Sequence, residues 1–245
     1  MISGLTVKLR KALRRVVPQT PRRALALARR RLRDLADGAH LRFAGQGDQP
    51  ADWPTAIALR QPIRQGPFWQ GKLANIRLGC ALIDGLELAP GQILSFWALV
   101  GEPREERGFA EGRGIRGDQA QGDIGGGLCQ LSGLIYELGL RCGLEVIERH
   151  PHSRDLYRQE SERFTELGLD ATVVWPWKDL RLENRTGQTL IFRLEVTDMT
   201  VEARCLAKSA LVPAELALAR EDFQDRREVA VRRGGALVSK DCYRI

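Results

Sequence analysis

The spacing of apolar residues predicts two helices in the middle of the chain. One apolar stripe recurs at steps of three and four residues and consists of Leu73, Ile76, Cys80 and Ile83. It predicts a helix over 72–84, with Gly85 directly after it in the usual stop position. A second stripe, which predicts a helix over 129–141, consists of Leu131, Leu134, Ile135 and Leu138.

Short runs of apolar and β-branched residues predict strands around these helices. The predicted strands lie at 93–99, 144–149, 171–175, 180–183, 190–196, 201–205 and 236–242. We expect a hairpin around 184–187 and a helix over the charged stretch 215–227. Since most strands follow one another directly, the predicted fold class is α+β. It has two core helices packed on a mainly antiparallel sheet, with a basic helical N-terminal extension.

Composition divides the chain into four predicted segments. Residues 1–45 form the basic helical extension, and 46–67, rich in Gly, Pro, Gln and Asp, form a linker or an irregular entry strand. Residues 68–206 carry the patterns of a folded domain. Residues 207–245 are expected to add a C-terminal helix and strand that complete it.

The formal net charge of +7 is concentrated at the N-terminus. Residues 1–42 hold 12 bases and two acids, which leaves 26 bases, 29 acids and a charge of −3 for the rest. Amphipathic basic helices, predicted near 5–16 and over 22–36, suit an anionic lipid surface, RNA or a solvated extension. Because the charge is confined to one arm, we expect peripheral binding to an anionic membrane through 1–42 and no specific nucleic acid partner.

Hydropathy and cysteine spacing indicate a cellular location. With a mean hydropathy of −0.27, the chain has no apolar run near the roughly 20 residues of a membrane span. The apolar run 24–28 ends at Arg29 and is too short for a signal peptide. Five cysteines without a CxxC pair fit a reducing compartment. We expect a cytoplasmic protein, peripheral at the inner face of the membrane.

The densest chemical pattern is the glycine-rich segment 122–132, which contains Cys129. A triple glycine before a helix leaves backbone amides free, and a cysteine in the first helical turn is favoured as thiolate. At 100° per residue, the apolar stripe of this helix lies opposite Cys129. Its own face carries Ser132, Gly133 and Tyr136, which we expect to leave room for a ligand.

Two of the three histidines, His150 and His152, lie together and supply candidate general bases for a thiol nucleophile. Asp170 or Asp155 could orient the imidazole. Two alternatives use the same residues. A phosphate cradle is disfavoured because no Lys-Ser/Thr follows the glycines, and a zinc site on Cys129, His150 and His152 lacks supporting residues. We expect no metal and no cofactor.

At these residues the sequence resembles the VanW family over about 70–206. The matching stretches are 88–96, 100–101, 107–109, 125–132 with Tyr136, 148–153, 168–173 and 179–187. The Gly-Gly-Gly-Leu-Cys-Gln-Leu-Ser sequence at 125–132, combined with the His-Ser pair at 152–153, is specific. The chain departs from the usual family pattern at Trp97 and Glu137, where asparagine is common.

The resemblance implies roles for individual residues. Cys129 would be the nucleophile, His152 the preferred base with His150 as its substitute, and Asp170 the group that orients the imidazole. The residues implied or expected to bind substrate around the acyl group are Gly125, Gly126, Gly127, Gln130, Ser132 and Tyr136. Backbone amides of Gly126, Gly127 and Gln130 are candidates for stabilising an oxyanion.

Two functions follow as hypotheses. The first is cysteine-dependent acyl transfer, similar to that of L,D-transpeptidases or amidases, on a peptidoglycan-related or other peptide substrate. The second is a non-catalytic module, associated with the cell envelope or a protein partner, that binds through the Gly-rich groove around Cys129.

Overall fold

The computed structural model describes residues 19–48, 52–116, 119–155, 157 and 162–245. Its contacts divide the chain into two units, 1–41 and 42–245. The first unit contains helix α1 (Gln19–Ala36) and a 3-10 turn (Ala39–Leu41). Helix α1 confirms the helix predicted over 22–36, whereas the one predicted near 5–16 lies outside the described residues. In the described part of the chain, no helix is long and apolar enough to cross a membrane.

The second unit is built on a five-stranded antiparallel sheet of order β1-β3-β9-β10-β2. Its strands are β1 (Gly45–Gln46), β2 (Thr55–Pro62), β3 (Leu86–Leu88), β9 (Leu190–Val196) and β10 (Thr200–Ala207). Strand β2 lies within 46–67, the segment predicted to be a linker or an irregular entry strand. Only Ile57 and Gln61 of this edge strand are buried, so its polar sequence concealed the pairing with β10.

The two predicted core helices are present as α2 (Trp69–Ile83) and α4 (Leu128–Arg141). Both apolar stripes are buried, which confirms the face of each helix that was predicted to be inside. The helices approach closely at Gly79, where a Cβ would lie 2.7 Å from Cδ2 of Leu131. Helix α4 also packs on β2 and β10. The described elements thus form the predicted α+β fold.

A second, three-stranded antiparallel sheet has the order β4-β8-β7. Its strands are β4 (Ile93–Ser95), β7 (Glu145–Glu148) and β8 (Arg181–Glu183). Strand β4 is shorter than predicted because Ser95 caps the short helix α3 (Phe96–Val100) by accepting the Ala98 amide hydrogen. The predicted hairpin around 184–187 is wrong, since β8 and β9 belong to different sheets. At 171–175 the described structure has one isolated bridge, Val174 to Lys178, instead of a strand.

The remaining strands form a hairpin and a C-terminal sheet. The Gly-rich stretch before Cys129 folds as β5 (Glu111–Arg116) and β6 (Gln119–Ile124). The predicted helix at 215–227 is wrong. That stretch belongs to the antiparallel sheet of β11 (Leu216–Asp222), β12 (Arg226–Arg233) and β13 (Ala236–Arg244). Its good helix formers are outweighed by cross-strand pairing, which includes the Lys240–Glu228 ion pair at 3.3 Å.

Candidate active site

The sharp turn before α4 sets the position of Cys129. Gly125 and Gly127 have φ angles of 83° and 104°, a region that strongly favours glycine. Gly127 caps the helix, and Cys129 is its second residue. The Cys129 thiol is partly exposed and points toward the Val173 carbonyl oxygen, with Sγ and O 3.6 Å apart. Cys80, Cys142 and Cys205 are buried.

The buried side chain of Asn75 holds the glycine turn in place. Its Nδ2 donates to the carbonyl oxygens of Gly126 and Ala110, each at 2.9 Å, and its Oδ1 accepts the Ala110 amide hydrogen at 2.8 Å. Asn75 therefore ties the turn to the start of the β5–β6 hairpin. Apolar spacing did not point to Asn75, because a polar side chain in a helix is conspicuous only once its burial is known.

The face of α4 around Cys129 is packed instead of open. Ser132 and Tyr136 are fully buried, and the Ser132 hydroxyl donates to the Ala171 carbonyl oxygen at 2.7 Å. A Cβ on Gly133 would lie 3.7 Å from the Asp170 Cα. The expectation that these three residues leave room for a ligand is therefore corrected. The small side chains let segment 168–173, which carries Asp170, pack directly on the helix.

The backbone amides around Cys129 differ in their hydrogen bonding. The Gly126 amide donates to Asp123 O at 2.9 Å, and the Gln130 amide donates to Gly127 O at 3.0 Å. Among the described residues, the turn bonds leave the amides of Gly127 and Cys129 unused. The Gln130 side chain is also committed, because its Nε2 donates to the Pro62 carbonyl oxygen at 2.9 Å.

His152 lies between Asp170 and Cys129. Its ring Nδ1 is 2.6 Å from Asp170 Oδ2, and its imidazole is 26% exposed. Burial alone would lower the pKa of His152. Hydrogen bonds with Asp170 and Cys129, together with electrostatic attraction to both groups, raise it to about 10. His152 is therefore an imidazolium at neutral pH.

The other oxygen of Asp170 is held by two further side chains. Asp170 Oδ1 accepts from the Tyr243 hydroxyl at 2.6 Å and from Arg149 Nη2 at 3.1 Å. Burial alone would raise the pKa of Asp170, but the hydrogen bond and charge of His152, with help from Arg149 and Tyr243, hold it well below its ordinary value. Asp170 is thus ionised and oriented at both oxygens.

Arg149 is the centre of this supporting network. Its side chain is only 4% exposed, and it forms ion pairs with both Asp170 and Asp241. Its Nε donates to the Asp170 carbonyl oxygen at 2.7 Å, and its guanidinium lies 5.0 Å from the centre of the Tyr136 ring. The sequence analysis missed Arg149, although it stands next to His150 in the same motif.

The C-terminal strand β13 anchors the segment after His152. The Arg244 amide donates to Ser153 O at 3.1 Å, and the Asp155 amide donates to Arg244 O at 2.8 Å. The same strand supplies Tyr243, whose oxygen also accepts the Gly168 amide hydrogen at 2.8 Å. The C-terminal sheet therefore fixes both His152 and Asp170.

The structure separates the other candidates from this arrangement. His150 Nε2 is 3.0 Å from Glu148 Oε1, whereas the Asp170 carboxylate contacts the ring of His152. Asp155 forms ion pairs with Arg163 and Arg227, so it does not orient the imidazole. Within the described ranges, no group of three His, Cys, Asp or Glu side chains is placed to hold a metal ion. The zinc alternative therefore has no geometric support.

A cavity of about 530 Å³ borders segment 163–169. It is lined by residues of that segment, by Glu137 and by side chains of β11 and β12, including Leu218 and Val229. Neither Cys129 nor His152 lines it, so this cavity is separate from the candidate site.

An α+β scaffold that aligns a helix-terminal cysteine, an imidazole and a buried carboxylate defines a Cys–His–Asp protein. A family model described as "VanW like protein" matches residues 71–206, more than half of the chain. The chain belongs to the VanW family, which confirms the resemblance. Tyr243 and Asp241 lie outside the matched region.

Two relatives match about half of the chain. The vancomycin B-type resistance protein VanW of Enterococcus faecalis is 29% identical over 123 residues, covering 50% of this chain and 44% of that protein. The uncharacterized protein YoaR of Bacillus subtilis is 32% identical over 120 residues, covering 49% and 37%. The chain thus matches less than half the length of either relative. No solved structure matches it.

Proposed function

We propose that this protein is a cysteine acyltransferase or amidase that acts on a peptide substrate, with Cys129 as nucleophile, His152 as acid and base, and Asp170 as the orienting carboxylate. The observation that carries the proposal is the placement of His152 between Cys129 and Asp170. A cysteine activated by an oriented imidazole is the arrangement that nucleophilic acyl transfer requires.

The proposed reaction has two balanced halves. The Cys129 thiolate attacks the acyl carbon, and the protonated His152 donates its proton to the leaving amine as the C–N bond breaks, which leaves a thioester. An acceptor amine or water then attacks the thioester and loses a proton to His152, and the thiolate departs. Transfer and hydrolysis differ only in the acceptor.

The amides of Gly127 and Cys129 are the proposed oxyanion donors. The predicted donors Gly126 and Gln130 use their amides in the turn, which favours the two neighbouring amides instead. Both lie at the start of α4, where the helix dipole adds positive potential. Gly125 and Gly126 would then shape the turn that presents the donors.

The family resemblance supports a peptidoglycan-related or other peptide substrate. The Enterococcus faecalis relative carries vancomycin resistance in its name, which is consistent with such chemistry. The alternative of a non-catalytic binding module makes a different prediction, because it needs the groove around Cys129 but not the thiol.

A trapped acyl-enzyme tests the proposal. The Cys242→Ser variant, which removes the exposed thiol, is mixed with p-nitrophenyl acetate and analysed by peptide mass spectrometry. We expect rapid acetylation of Cys129. In the His152→Ala variant the acetylation rate should be lower by about tenfold or more. His150→Ala is the matched control and keeps the fast rate. Acetylation at the rate of a free thiol peptide, indifferent to His152, contradicts acyl transfer and favours the binding module.

A second proposal concerns helix α1, for which we propose peripheral binding to an anionic membrane. Leu25, Leu32 and Leu35 are 51–65% exposed and fall within about 80° of one another around the helix, with arginines beside them. Sedimentation with phosphatidylserine vesicles tests it. Binding should be lost in Leu25→Gln/Leu32→Gln and absent with phosphatidylcholine vesicles, whereas equal binding by the variant contradicts it.

A further inference from the structure

A buried lysine lies against the glycine turn that precedes Cys129. Lys72 is 8% exposed, and its Cγ lies 2.7 Å from the point that a Cβ of Gly127 would occupy. Its ammonium group is 5.4 Å from the centre of the Phe164 ring. Buried lysines are rare without a paired anion. In the described part of the chain, however, the Lys72 ammonium has no hydrogen-bond acceptor and no ion pair.

A second cation flanks the same turn from the hairpin. A Cβ on Gly126 would lie 2.8 Å from the Arg113 carbonyl carbon, so the backbone of Arg113 packs directly on the turn. The Arg113 side chain is exposed and forms no ion pair with a carboxylate among the described residues. The Lys72 side-chain stem thus packs against Gly127 and the Arg113 backbone against Gly126, two and three residues before Cys129.

Electrostatics show that these cations act on one another. Burial, followed by the positive charges of Arg113 and Arg64, lowers the pKa of Lys72 to about 8. Arg113 and Arg64 act on Tyr157 as well, whose ring packs edge-on against Phe164 with 5.8 Å between their centres. The charges of Arg113 and Arg64 therefore act on both Lys72 and Tyr157. A bound anion would relieve this repulsion.

We propose that Lys72, with Arg113 beside it, binds a carboxylate of the peptide substrate next to the acyl carbon that Cys129 attacks. This inference rests on the proposed acyl transfer and specifies its substrate class. The substrate would be an acidic peptide whose free carboxylate lies close to the reacting carbonyl. Lys72 supplies the buried charge and Arg113 the exposed one, while the Phe164 ring lies against the Lys72 ammonium.

Two alkylating reagents of nearly equal size test the site without a known substrate. Iodoacetate carries a carboxylate and iodoacetamide does not, and both alkylate Cys129. The measured quantity is the ratio of their rates at Cys129 in the Cys242→Ser background. We expect this ratio to be higher in the folded protein than in the urea-unfolded chain. In Lys72→Met it should fall about five- to tenfold, and in Arg113→Met about two- to fivefold.

Control variants separate a local site from general attraction. Lys208 is an exposed lysine, so Lys208→Met makes the same charge change at the surface and should alter the ratio by less than about twofold. Lys72→Arg should keep most of the preference for iodoacetate. An unchanged ratio in folded Lys72→Met overturns the proposal. If that variant does not fold, an unchanged ratio in Arg113→Met, or equal ratios in folded and unfolded protein, overturns it.

The outcomes for the two proposals are distinguishable. Slow alkylation by both reagents, with a ratio that still depends on Lys72, would contradict acyl transfer and support the anion site. Fast alkylation with a ratio indifferent to Lys72 would support the nucleophile and contradict the anion site.

Discussion

One oxygen of Asp170 holds His152 at two points, because Oδ2 accepts both the backbone amide hydrogen at 2.7 Å and the ring Nδ1 hydrogen at 2.6 Å. The backbone bond fixes the position of the residue, and the ring bond fixes the orientation and protonation of the imidazole. With Nδ1 engaged, Nε2 is the ring nitrogen left to exchange protons with Cys129.

Replacing Asp170 with asparagine tests whether its negative charge, and not only its size, is needed at the site. Asp170→Asn keeps the size of the side chain but loses the negative charge that stabilises the imidazolium. We expect alkylation of Cys129 by iodoacetamide at pH 7 to slow by about tenfold or more. The midpoint of thermal unfolding should also fall, because Arg149 loses one buried counter-ion. We expect the free energy of unfolding to fall by about 1–3 kcal/mol. Unchanged reactivity in a folded variant would contradict the orienting role.

Removing one hydroxyl should reveal the contribution of the C-terminal sheet. Tyr243→Phe deletes the donor to Asp170 and leaves the Gly168 amide without its acceptor. We expect a loss of about 1–3 kcal/mol in the free energy of unfolding and slower alkylation of Cys129. Lys240 lies on the same strand but is exposed. Lys240→Met should lower the free energy of unfolding by less than about 1 kcal/mol and leave the alkylation rate of Cys129 unchanged. Equal effects of the two variants would argue against a supporting role for Tyr243.

The raised pKa of His152 predicts a specific dependence of stability on pH. The folded value is about 10 and the ordinary value 6.5, so the stabilisation is complete below pH 6.5 and is lost as pH rises toward 10. The free energy of unfolding from urea titrations should therefore fall across this window. His152→Gln should flatten the fall, whereas His150→Gln should retain it. An identical pH dependence of stability in the unsubstituted protein and both variants would refute the pairing of His152 with Asp170.

A single methyl group should disturb the turn before Cys129. A Cβ on Gly126 would lie under 3.0 Å from the backbone of Gly112 and Arg113, where no side chain can move aside. Gly126→Ala should therefore destabilise the fold by about 1–3 kcal/mol. The control, Gly45→Ala, has nothing within 4 Å of its new Cβ and should change stability little. Equal unfolding midpoints in urea would show that the turn is not tightly packed.

The sequence named all three candidate residues of the site, with the choice of His152 and Asp170 resting on the family resemblance. Cys129 follows a triple glycine and faces away from an apolar stripe, and His152 and Asp170 lie in short motifs. Tyr243 could not be found in this way, since it is 73 residues from Asp170 and only the folding of β13 brings them together. Lys72 and Asn75 were missed because a polar residue in a core helix becomes conspicuous only when its burial is known.

The fold was predictable where burial follows a clear period and not elsewhere. Helices α2 and α4 each bury one continuous stripe, so their positions followed from spacing. Strand β2 buries too few residues to show alternation, and its Gly- and Pro-rich surroundings suggested a linker. Strands β11 and β12 contain good helix formers. They form strands because they pair with segments further along the chain, which a short stretch of sequence does not reveal.

The pH dependence of Cys129 alkylation tests the central claim most directly. Rates with iodoacetamide are measured from pH 6 to pH 10 in the Cys242→Ser background, with and without His152→Ala, by peptide mass spectrometry. The account predicts that at pH 6 Cys129 reacts about tenfold or more faster when His152 is present, and that the gap narrows toward pH 10 as the imidazolium loses its proton. Equal rates at pH 6 in the two folded proteins would contradict it.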